Sequence, residues 1–285
     1  MTSWDRARAL LNDEQAEYVA GQLKTPVVVD DLSWNLVDTR VLHLRADDQD
    51  FVVKAAPHSN HHIGREITAH ETYTEPLVRA ARTGQLVGAS RAVNVLITTY
   101  LPGTLVQGSA AKWASDIHTQ AGSALLALHD QHARVDDGYE ARMTEKAIAS
   151  LDRQHRINPE VESAARRILG SYQPAPVVVV PTHGDWQPRN WLHDGNRLQV
   201  IDFGRFDFRP AATDFCRLAT QQWRENPRLE NAFLEGYGSD PRNEVAWPID
   251  LLREAVGTAV WAFLVGDTVF EAQGHRMLKE AIARF

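Results

Sequence analysis

The chain has 285 residues, of which 44% are apolar and 24% are charged, and its formal net charge is −7 at pH 7. This composition is ordinary for a globular protein and excludes a collagen, a disordered chain and a disulfide scaffold. The length favours two closely joined lobes over a single core. The acidic balance argues against a nucleic-acid partner and favours a cationic substrate.

The only cysteine is Cys216, so no disulfide forms within the chain, and a reducing cytoplasm is the expected location. Its apolar surroundings favour a packing role over a nucleophilic one. Residues Met1–Arg6 contain no apolar signal-peptide core. The longest apolar run, Ala255–Gly266, has about half of the ~20 residues that span a bilayer. We therefore expect a cytoplasmic protein without a membrane segment.

The first third of the chain mixes helical and strand-like patterns. Helical spacing predicts helices at Asp5–Leu11 and Asp13–Leu23. Apolar and β-branched runs predict a five-stranded sheet, with strands at Val27–Val29, Trp34–Leu44, Phe51–Ala55, Leu86–Val87 and Val95–Leu101. Lys54 lies near the end of the third strand on the face opposite Val53, as expected for a side chain directed into a cleft.

From Ser109 onward the pattern is mainly helical. Apolar positions at helical spacing predict one long helix at Ala110–His132. Six more helices are predicted, at Met143–Leu151, Pro159–Leu169, Thr213–Trp223, Arg228–Tyr237, Trp247–Gly266 and Thr268–Ala283.

Polar residues cluster around two predicted strands in the middle of this helical region. The run Val177–Val180 reads as a buried strand, and His183-Gly184-Asp185 and Asn190 follow it. A second strand, Leu198–Ile201, leads into Asp202-Phe203-Gly204, and Asp194-Gly195 between the strands predicts a hairpin. The hairpin should return Asp202 to the loop that carries Asp185 and Asn190. Such a group of oxygens suits phosphoryl transfer, which requires alignment of a hydroxyl with a γ-phosphoryl group and Mg²⁺ to neutralise charge.

The segments H-G-D-W-Q-P-R-N and I-D-F-G match the kinase motifs H-R-D-x-x-x-x-N and D-F-G. With Gly184 in place of the usual arginine, the sequence resembles the aminoglycoside phosphotransferase family of the eukaryotic-like kinase superfamily. The resemblance implies an α+β, two-lobed protein-kinase-like fold, with an antiparallel N-lobe sheet plus helix and a mainly helical C-lobe. It also implies Asp185 as the catalytic base and Asn190 and Asp202 as ligands of Mg²⁺.

The resemblance places the nucleotide, ATP with GTP as the alternative, between an N-terminal lobe at 1–101 and a catalytic and substrate-binding lobe at 102–285. Lys54 resembles the lysine that holds the α- and β-phosphates, with Glu66 as its expected partner and Glu71 as the runner-up. Backbone groups at the lobe hinge, from Thr99, Tyr100 and Leu101, are expected to contact adenine.

The loop expected to cover the nucleotide contains no glycine between Asp31 and Leu36, unlike the glycine-rich loop of kinases. Ser33 and Asn35 are the side chains there that could donate to phosphates. Nearby, His58, His61 and His62 lack a carboxylate or cysteine at a fixed spacing and are interpreted as a solvated loop instead of a metal site.

Two further residues of the central stretch and its surroundings have expected structural roles. His183 is expected to hold the loop through a backbone hydrogen bond. Asp214 fits the aspartate that braces the catalytic loop in this family, and it could equally stabilise a helix N-terminus. Arg205 and Arg209 could contact phosphate or pair with local carboxylates.

These observations predict an ATP- and Mg²⁺-dependent phosphotransferase acting on a hydroxyl of a small, amine-bearing molecule such as an aminoglycoside antibiotic, which would confer resistance. Metabolic alcohols (choline, homoserine or a sugar) are the first alternative. A nucleotide-binding pseudokinase is the second, supported by the glycine-free loop, and a protein kinase is the third. Candidate carboxylates for the amines are Asp136, Asp137, Glu140, Asp267 and Glu271. The sequence predicts no oligomeric state.

Overall fold

The computed structural model describes residues 8–34 and 37–285. The N-terminal part contains a five-stranded antiparallel sheet with strand order β1-β2-β3-β5-β4. The strands are β1 (Val27–Asp31), β2 (Arg40–Ala46), β3 (Gln49–Ala55), β4 (Leu86–Ser90) and β5 (Val95–Thr99). The five predicted strands are present, and β2 begins at Arg40 where Trp34 was predicted. Residues 35 and 36 of that prediction lie outside the described residues, and Ser33 Oγ accepts a hydrogen bond from Val41 N–H.

Two helices cover the two faces of this sheet. Helix α1 (Asp13–Gln22) starts with a capping box between Asn12 and Gln15 and packs on the face that carries Val53 and Ile97. Helix α2 (His62–Thr72) packs through Ile63 and Ile67 against Leu96 on the other face. Since alternate residues of a strand point to opposite faces, Lys54, which pairs with Leu96 in the sheet, lies on the face of α2.

The C-terminal part is mainly helical, as predicted. Its helices are α3 (Glu75–Arg79, in the connection from the N-terminal part), α4 (Ser115–His129), α5 (Tyr139–Leu151), α6 (Pro159–Ser171), α7 (Cys216–Thr220), α8 (Gln222–Glu225), α9 (Pro227–Tyr237), α10 (Ala246–Val265) and α11 (Thr268–Ile282). Short 3₁₀ helices lie at Ala110–Trp113, Pro188–Asn190 and Ala211–Phe215.

Two of the predicted helices are divided in the structure. The segment predicted at Ala110–His132 begins with a 3₁₀ turn that Ser109 caps, and the α-helix starts at Ser115. The segment predicted at Thr213–Trp223 is split between a 3₁₀ turn and two short α-helices, with a break at Gln221, whose ψ is −94°. The predicted helix at Asp5–Leu11 starts outside the described residues.

Two small antiparallel sheets position the central stretch. One has the order β10-β9-β6 and the other β11-β8-β7, with strands β6 (Thr104–Leu105), β7 (Arg134–Asp136), β8 (Val177–Thr182), β9 (Trp191–Asp194), β10 (Arg197–Val200) and β11 (Asp207–Arg209). The predicted hairpin is β9–β10, which pairs Arg197 with Asp194. The loop from β8 to β9 and the loop from β10 to β11 therefore meet.

A cluster of large apolar side chains lies beneath these two loops. Trp186, Trp191, Phe203 and Phe215 are each at most 1% exposed and belong to one core with residues of α4 and α9. Cys216 is buried in the neighbouring cluster, and burial raises its pKa, which fits the predicted packing role. Within residues 8–34 and 37–285, no helix combines the length and apolar content needed to cross a membrane.

Candidate active site

The loop after β8 presents Asp185 as a buried carboxylate fixed by its own neighbours. Its side chain is 3% exposed. Asn190 Nδ2 donates to Asp185 Oδ2 at 2.9 Å and to the Asp185 carbonyl at 2.8 Å. Gln187 Nε2 donates to the other carboxylate oxygen at 2.6 Å. The carboxylate is therefore held in one orientation before any ligand binds.

Asp214 braces this loop from below. Its carboxylate accepts the backbone N–H groups of His183 at 2.8 Å and Gly184 at 2.6 Å, and it contacts His129 Nε2 at 3.1 Å. Asp214 lies in a 3₁₀ helix and is 2% exposed. Of the two roles expected for Asp214, the structure shows the contact that braces the loop of Asp185.

His183 has the structural role expected from the sequence. Its Nε2 contacts the Ile201 carbonyl at 3.1 Å, and its Nδ1 receives the Asp185 N–H at 3.3 Å. This side chain therefore links the loop of Asp185 to the strand end that precedes Asp202. Burial lowers the pKa of His183, which favours the neutral ring that these two contacts require.

Gly184 is required by the way the two loops meet. Its φ is +79°, and a Cβ at this position would collide with the Arg205 carbonyl oxygen and the Arg209 guanidinium. A larger residue would have to push the second loop away. The glycine that distinguishes this motif from H-R-D thus permits close contact between the loop of Asp185 and the segment after Asp202.

Lys54 joins the N-terminal sheet, α2 and Asp202. Its Nζ lies 2.8 Å from Glu66 Oε1 and 3.0 Å from Asp202 Oδ1. Burial alone would lower the pKa of Lys54, but the carboxylates of Asp202 and Glu66 outweigh it and raise the pKa above its ordinary value. Glu66 is therefore the partner of Lys54, whereas the runner-up Glu71 pairs with Arg91.

The predicted magnesium ligands, Asp202 and Asn190, have the oxygen atoms that a magnesium ion requires. Asp202 has a φ of +68°, and its side chain is 49% exposed. Its Oδ2 makes no hydrogen bond within the described residues, and the amide nitrogen of Asn190 is engaged, so the amide oxygen is left for a cation. The described residues contain no cluster of three His, Cys, Asp or Glu side chains suited to a metal. Mg²⁺ does not need one, because phosphate oxygens and water complete its shell.

Some of the residues predicted to contact the nucleotide already make hydrogen bonds within the chain. Asn35 lies outside the described residues, and Ser33 Oγ is engaged with Val41 N–H. The N–H groups of Thr99 and Tyr100 already donate to Gln85 and Asp50 carbonyls, while that of Leu101 makes no hydrogen bond within the described part of the chain. Among the three hinge residues, Leu101 therefore has the free backbone donor.

The three histidines at the start of α2, His58, His61 and His62, belong to no cluster of three His, Cys, Asp or Glu side chains among the described residues. His62 Nδ1 contacts the Gly204 carbonyl at 2.8 Å, so this side chain ties α2 to the turn after Asp202. His61 stacks on the His62 ring. The sequence indicated an exposed loop here and did not reveal the contact to Gly204.

The sequence analysis missed two arginines at Asp185. Arg189 Nη2 lies 2.7 Å from Asp185 Oδ2, and Arg217 Nε lies 2.9 Å from Oδ1, as an ion pair without hydrogen-bond alignment. Burial would raise the pKa of Asp185, but Arg217, Arg189 and Arg205 together hold it well below its usual range. Arg189 lies inside the motif H-G-D-W-Q-P-R-N, so the sequence could have indicated that it lies near Asp185. Arg217 belongs to α7, and no pattern in the sequence indicated its contact with Asp185.

Most carboxylates considered for a cationic acceptor are engaged within the chain. Asp136 pairs with Arg142 at 2.7 Å, and Glu140 pairs with Arg253 at 2.8 Å. Asp267 caps α11 by accepting the Phe270 N–H at 2.9 Å, and Glu271 pairs with Arg156. Only Asp137 has an exposed carboxylate without such a contact in the described residues.

An N-terminal antiparallel sheet with one lysine–glutamate pair, joined to a helical part with these two loops, defines the protein-kinase-like class. A model of the phosphotransferase enzyme family (APH) matches residues 35–247. The chain belongs to this family, which confirms the resemblance noted in the sequence. A comparison with curated protein sequences finds no match.

Solved structures share the architecture at low sequence identity. Choline kinase LicA from Streptococcus pneumoniae is 13% identical, with 94% of this chain and 97% of that chain covered and a TM-score of 0.66. A thermostable mutant of aminoglycoside phosphotransferase APH(4)-Ia, solved with ADP and hygromycin B, is 12% identical, with coverages of 94% and 97% and a TM-score of 0.61. Macrolide 2′-phosphotransferase MphH from Brachybacterium faecium is 16% identical, with coverages of 96% and 98% and a TM-score of 0.57. Likeness at these identities shows the fold, and it confirms the predicted α+β, two-lobed architecture.

Proposed function

We propose that the protein moves the γ-phosphoryl group of ATP to a hydroxyl of a small molecule. The observation that carries this proposal is the convergence of two loops and one strand. Asp185 and Asn190 share a hydrogen bond, and Asp202 meets the Lys54–Glu66 pair. Phosphoryl transfer needs these parts and little covalent chemistry from the protein.

Asp185 is the proposed catalytic residue. It would accept a hydrogen bond from the acceptor hydroxyl, whose oxygen bonds to the γ-phosphorus as the bond to the ADP oxygen breaks, and the hydroxyl proton passes to Asp185. Because arginines hold the pKa of Asp185 well below its usual range, this carboxylate is a weak base. Its main contribution is then to orient the hydroxyl, and Gln187 and Asn190 fix that orientation.

Lys54 is the proposed ligand of the α- and β-phosphates, with Glu66 holding its ammonium group in place. Asp202 and Asn190 are the residues that would hold Mg²⁺, which when bound neutralises charge on the phosphate oxygens. Ser33 and Asn35 are proposed to approach the phosphates, and Leu101 to pair with adenine. ATP is favoured because related structures were solved with ADP or AMP-PNP; GTP is the alternative.

The acceptor is proposed to be a small molecule, with antibiotics and metabolic alcohols as the two classes. Hygromycin B in one related structure supports the first class, with antibiotic resistance as its consequence, and a choline kinase supports the second, which includes homoserine and sugars. The proposal that the acceptor carries an amine rests on the net charge of −7. The candidate carboxylates do not add to it, because four of the five are engaged within the chain. A single buried cysteine favours a cytoplasmic location.

A nucleotide-binding pseudokinase is the competing function. The loop without glycine at Asp31–Leu36 favours it. Against it, a scaffold needs neither the Lys54–Glu66 pair nor the fixed Asp185 carboxylate. Turnover distinguishes the two functions.

The test compares the wild type, Asp185→Asn and the control Asp116→Asn, which removes an exposed carboxylate of α4 that forms no ion pair in the described residues. ADP release is measured with amino-sugar antibiotics, choline, homoserine and simple sugars, and Mg–ATP binding is followed by thermal shift. We expect Asp185→Asn to lose about 10²–10⁴-fold in turnover while Mg–ATP still binds and the control stays active. Transfer at the wild-type rate in Asp185→Asn would refute the role of Asp185. Mg–ATP binding without ADP release from any acceptor would identify a pseudokinase.

A further inference from the structure

The turn Asp202–Gly204 begins with an unusual backbone conformation. Asp202, a proposed magnesium ligand, has a φ of +68°, in the left-handed region that residues with a Cβ rarely adopt. Such a conformation persists where the surrounding structure holds it in place. The contacts on the two sides of Asp202 therefore determine where its carboxylate lies.

The residue before Asp202 is held by the loop of Asp185. The Ile201 N–H donates to the Asn190 carbonyl at 3.0 Å, and the Ile201 carbonyl contacts His183 Nε2 at 3.1 Å. Both partners belong to the helical C-terminal part of the chain. This side of the turn is therefore fixed to that part.

The residues after Asp202 are held by α2 of the N-terminal part. The Phe203 N–H donates to Glu66 Oε1 at 3.2 Å, and the Gly204 carbonyl lies 2.8 Å from His62 Nδ1. A carbonyl oxygen only accepts hydrogen bonds, so Nδ1 of His62 carries a proton and is the donor. Asp202 therefore lies between two anchors, one in each part of the chain.

Gly204 allows α2 to approach the turn closely. A Cβ at this position would lie 3.3 Å from Asp202 Oδ1 and 3.4 Å from the Cβ of His62. One residue without a side chain thus separates His62 from the Asp202 carboxylate. Because closely packed groups transmit displacement to one another, a shift of His62 would also shift this carboxylate.

His62 is itself fixed by the loop that precedes α2. Its N–H donates to Asn60 Oδ1 at 2.9 Å, and Asn60 Nδ2 donates to Asp38 Oδ1 at 2.7 Å. Asn94 Nδ2 donates to the Asn60 carbonyl at 2.9 Å. These contacts present the half-buried ring of His62 to the turn in one position.

The contact of His62 differs from that of Lys54 in the groups that it uses. Lys54 Nζ lies 3.0 Å from Asp202 Oδ1, and both of these groups are proposed to bind parts of the Mg–ATP complex. His62 instead contacts a main-chain carbonyl, which such a ligand does not need. Its ring makes no other hydrogen bond in the part of the chain that the structure describes. Replacing His62 therefore leaves the Lys54–Glu66 pair in place.

We infer that His62 is a positioning residue for Asp202. By donating to the Gly204 carbonyl, it holds the turn so that the Asp202 carboxylate stays beside Lys54, where the carboxylate would bind Mg²⁺. His62 touches neither the metal nor the nucleotide and acts through the main chain of the turn. The inference rests on the proposed phosphotransfer function and extends the site to a residue outside the kinase motifs.

The experiment separates the contribution of the metal from binding of the nucleotide itself. Calorimetry gives the Kd of AMP-PNP in EDTA and in Mg²⁺, and the ratio of the two values is the enhancement by Mg²⁺. His62→Phe keeps a ring without a donor, His62→Ala removes the ring, and His62→Asn supplies an amide nitrogen in place of Nδ1. His58→Phe is the matched control, at an exposed histidine whose side chain makes no hydrogen bond among the described residues.

We expect the two donor-free variants, His62→Phe and His62→Ala, to lose about tenfold of the enhancement by Mg²⁺, as is typical when a group that orients a metal ligand is removed. Their Kd for AMP-PNP in EDTA should stay at the wild-type value. His62→Asn should recover most of the enhancement, and His58→Phe should match the wild type. In ADP-release assays the donor-free variants should need about tenfold more Mg²⁺ for half of the maximal rate, with kcat restored at saturating Mg²⁺.

An unchanged enhancement in both donor-free variants would overturn the inference. So would an equal loss in His62→Asn, or a Kd that rises equally in EDTA and in Mg²⁺. Unfolding of both donor-free variants, detected by circular dichroism, would assign His62 to stability and overturn the positioning role. A wild type that binds Mg–AMP-PNP but releases no ADP with any acceptor would refute phosphotransfer and leave the His62 result valid. The two proposals therefore fail separately.

Discussion

Replacing Asp250 with asparagine should change how the stability of the protein depends on pH. Asp250 of α10 is 6% exposed and lies near Glu140 of α5, which is 0% exposed. Both carboxyl groups meet one guanidinium, that of Arg253, whose Nη1 lies 2.8 Å from Glu140 and 3.2 Å from Asp250. Burial raises the pKa of Asp250 to about 7, with a further rise from Glu140 and against the opposing effect of Arg253.

The sign follows from proton binding in the two states. The ordinary pKa is 3.8 and the folded value is about 7, so between them the folded protein binds more protons than the unfolded chain. The free energy of unfolding therefore falls as the pH rises through this window. A tenfold difference in proton affinity is about 1.4 kcal/mol, so from about pH 5 to about pH 8 the loss is about 2–3 kcal/mol.

Urea unfolding of the wild type, Asp250→Asn and Asp137→Asn at several pH values checks this. The asparagine keeps the shape of the side chain and leaves Arg253 paired with Glu140. Its stability relative to the wild type should rise by about 2–3 kcal/mol across the pH window, whereas the exposed control Asp137→Asn should follow the wild type. Parallel curves for the wild type and Asp250→Asn would refute the reasoning.

Three further substitutions test the loop and the lysine pair. Asp214→Ala removes the acceptor of two backbone N–H groups and of His129; it should lower the free energy of unfolding by about 3–5 kcal/mol, and an unchanged urea midpoint would contradict this. Gly184→Ala places a Cβ against the Arg205 carbonyl. The kcat should therefore fall at least about tenfold, while the circular dichroism spectrum is retained. A wild-type kcat would contradict this prediction. Glu66→Gln weakens the hold on Lys54 and should raise the KM for ATP by about tenfold, whereas Glu71→Gln should not; equal effects would refute the pairing.

Local patterns in the sequence were sufficient for most of the fold. The five strands of the N-terminal sheet and the hairpin β9–β10 follow from apolar runs separated by turn residues, and the turn at Asp47 and Asp48 has the positive φ values of 46° and 60° that such hairpins use. Helix breaks were not predicted. The division at Ala114 depends on the Ser109 cap, and the division at Gln221 depends on a backbone conformation with no distinctive residue.

The candidate site was predictable where one short motif supplies it. Asp185 and Asn190 are five positions apart, and the hairpin returns Asp202, so the three oxygen-bearing side chains could be placed together. The partner of Lys54 was also recoverable, because a helix directly follows the strand. Arg217 could not be placed beside Asp185, since that contact depends on how α7 packs against the loop. The contact of Arg156 with Glu271, one of the carboxylates considered for an amine, could not be predicted for the same reason, because Arg156 comes from a distant segment.

The net charge of a chain and the contacts of its individual side chains act on a ligand over different distances. A net charge of −7 favours approach of cations over distances of about a Debye length, ~8–10 Å. Recognition instead depends on the groups that touch the acceptor. The candidate carboxylates Glu140 of α5 and Glu271 of α11 are held by Arg253 and Arg156 of the chain itself. The net charge of this protein is therefore a weak guide to whether the acceptor carries an amine.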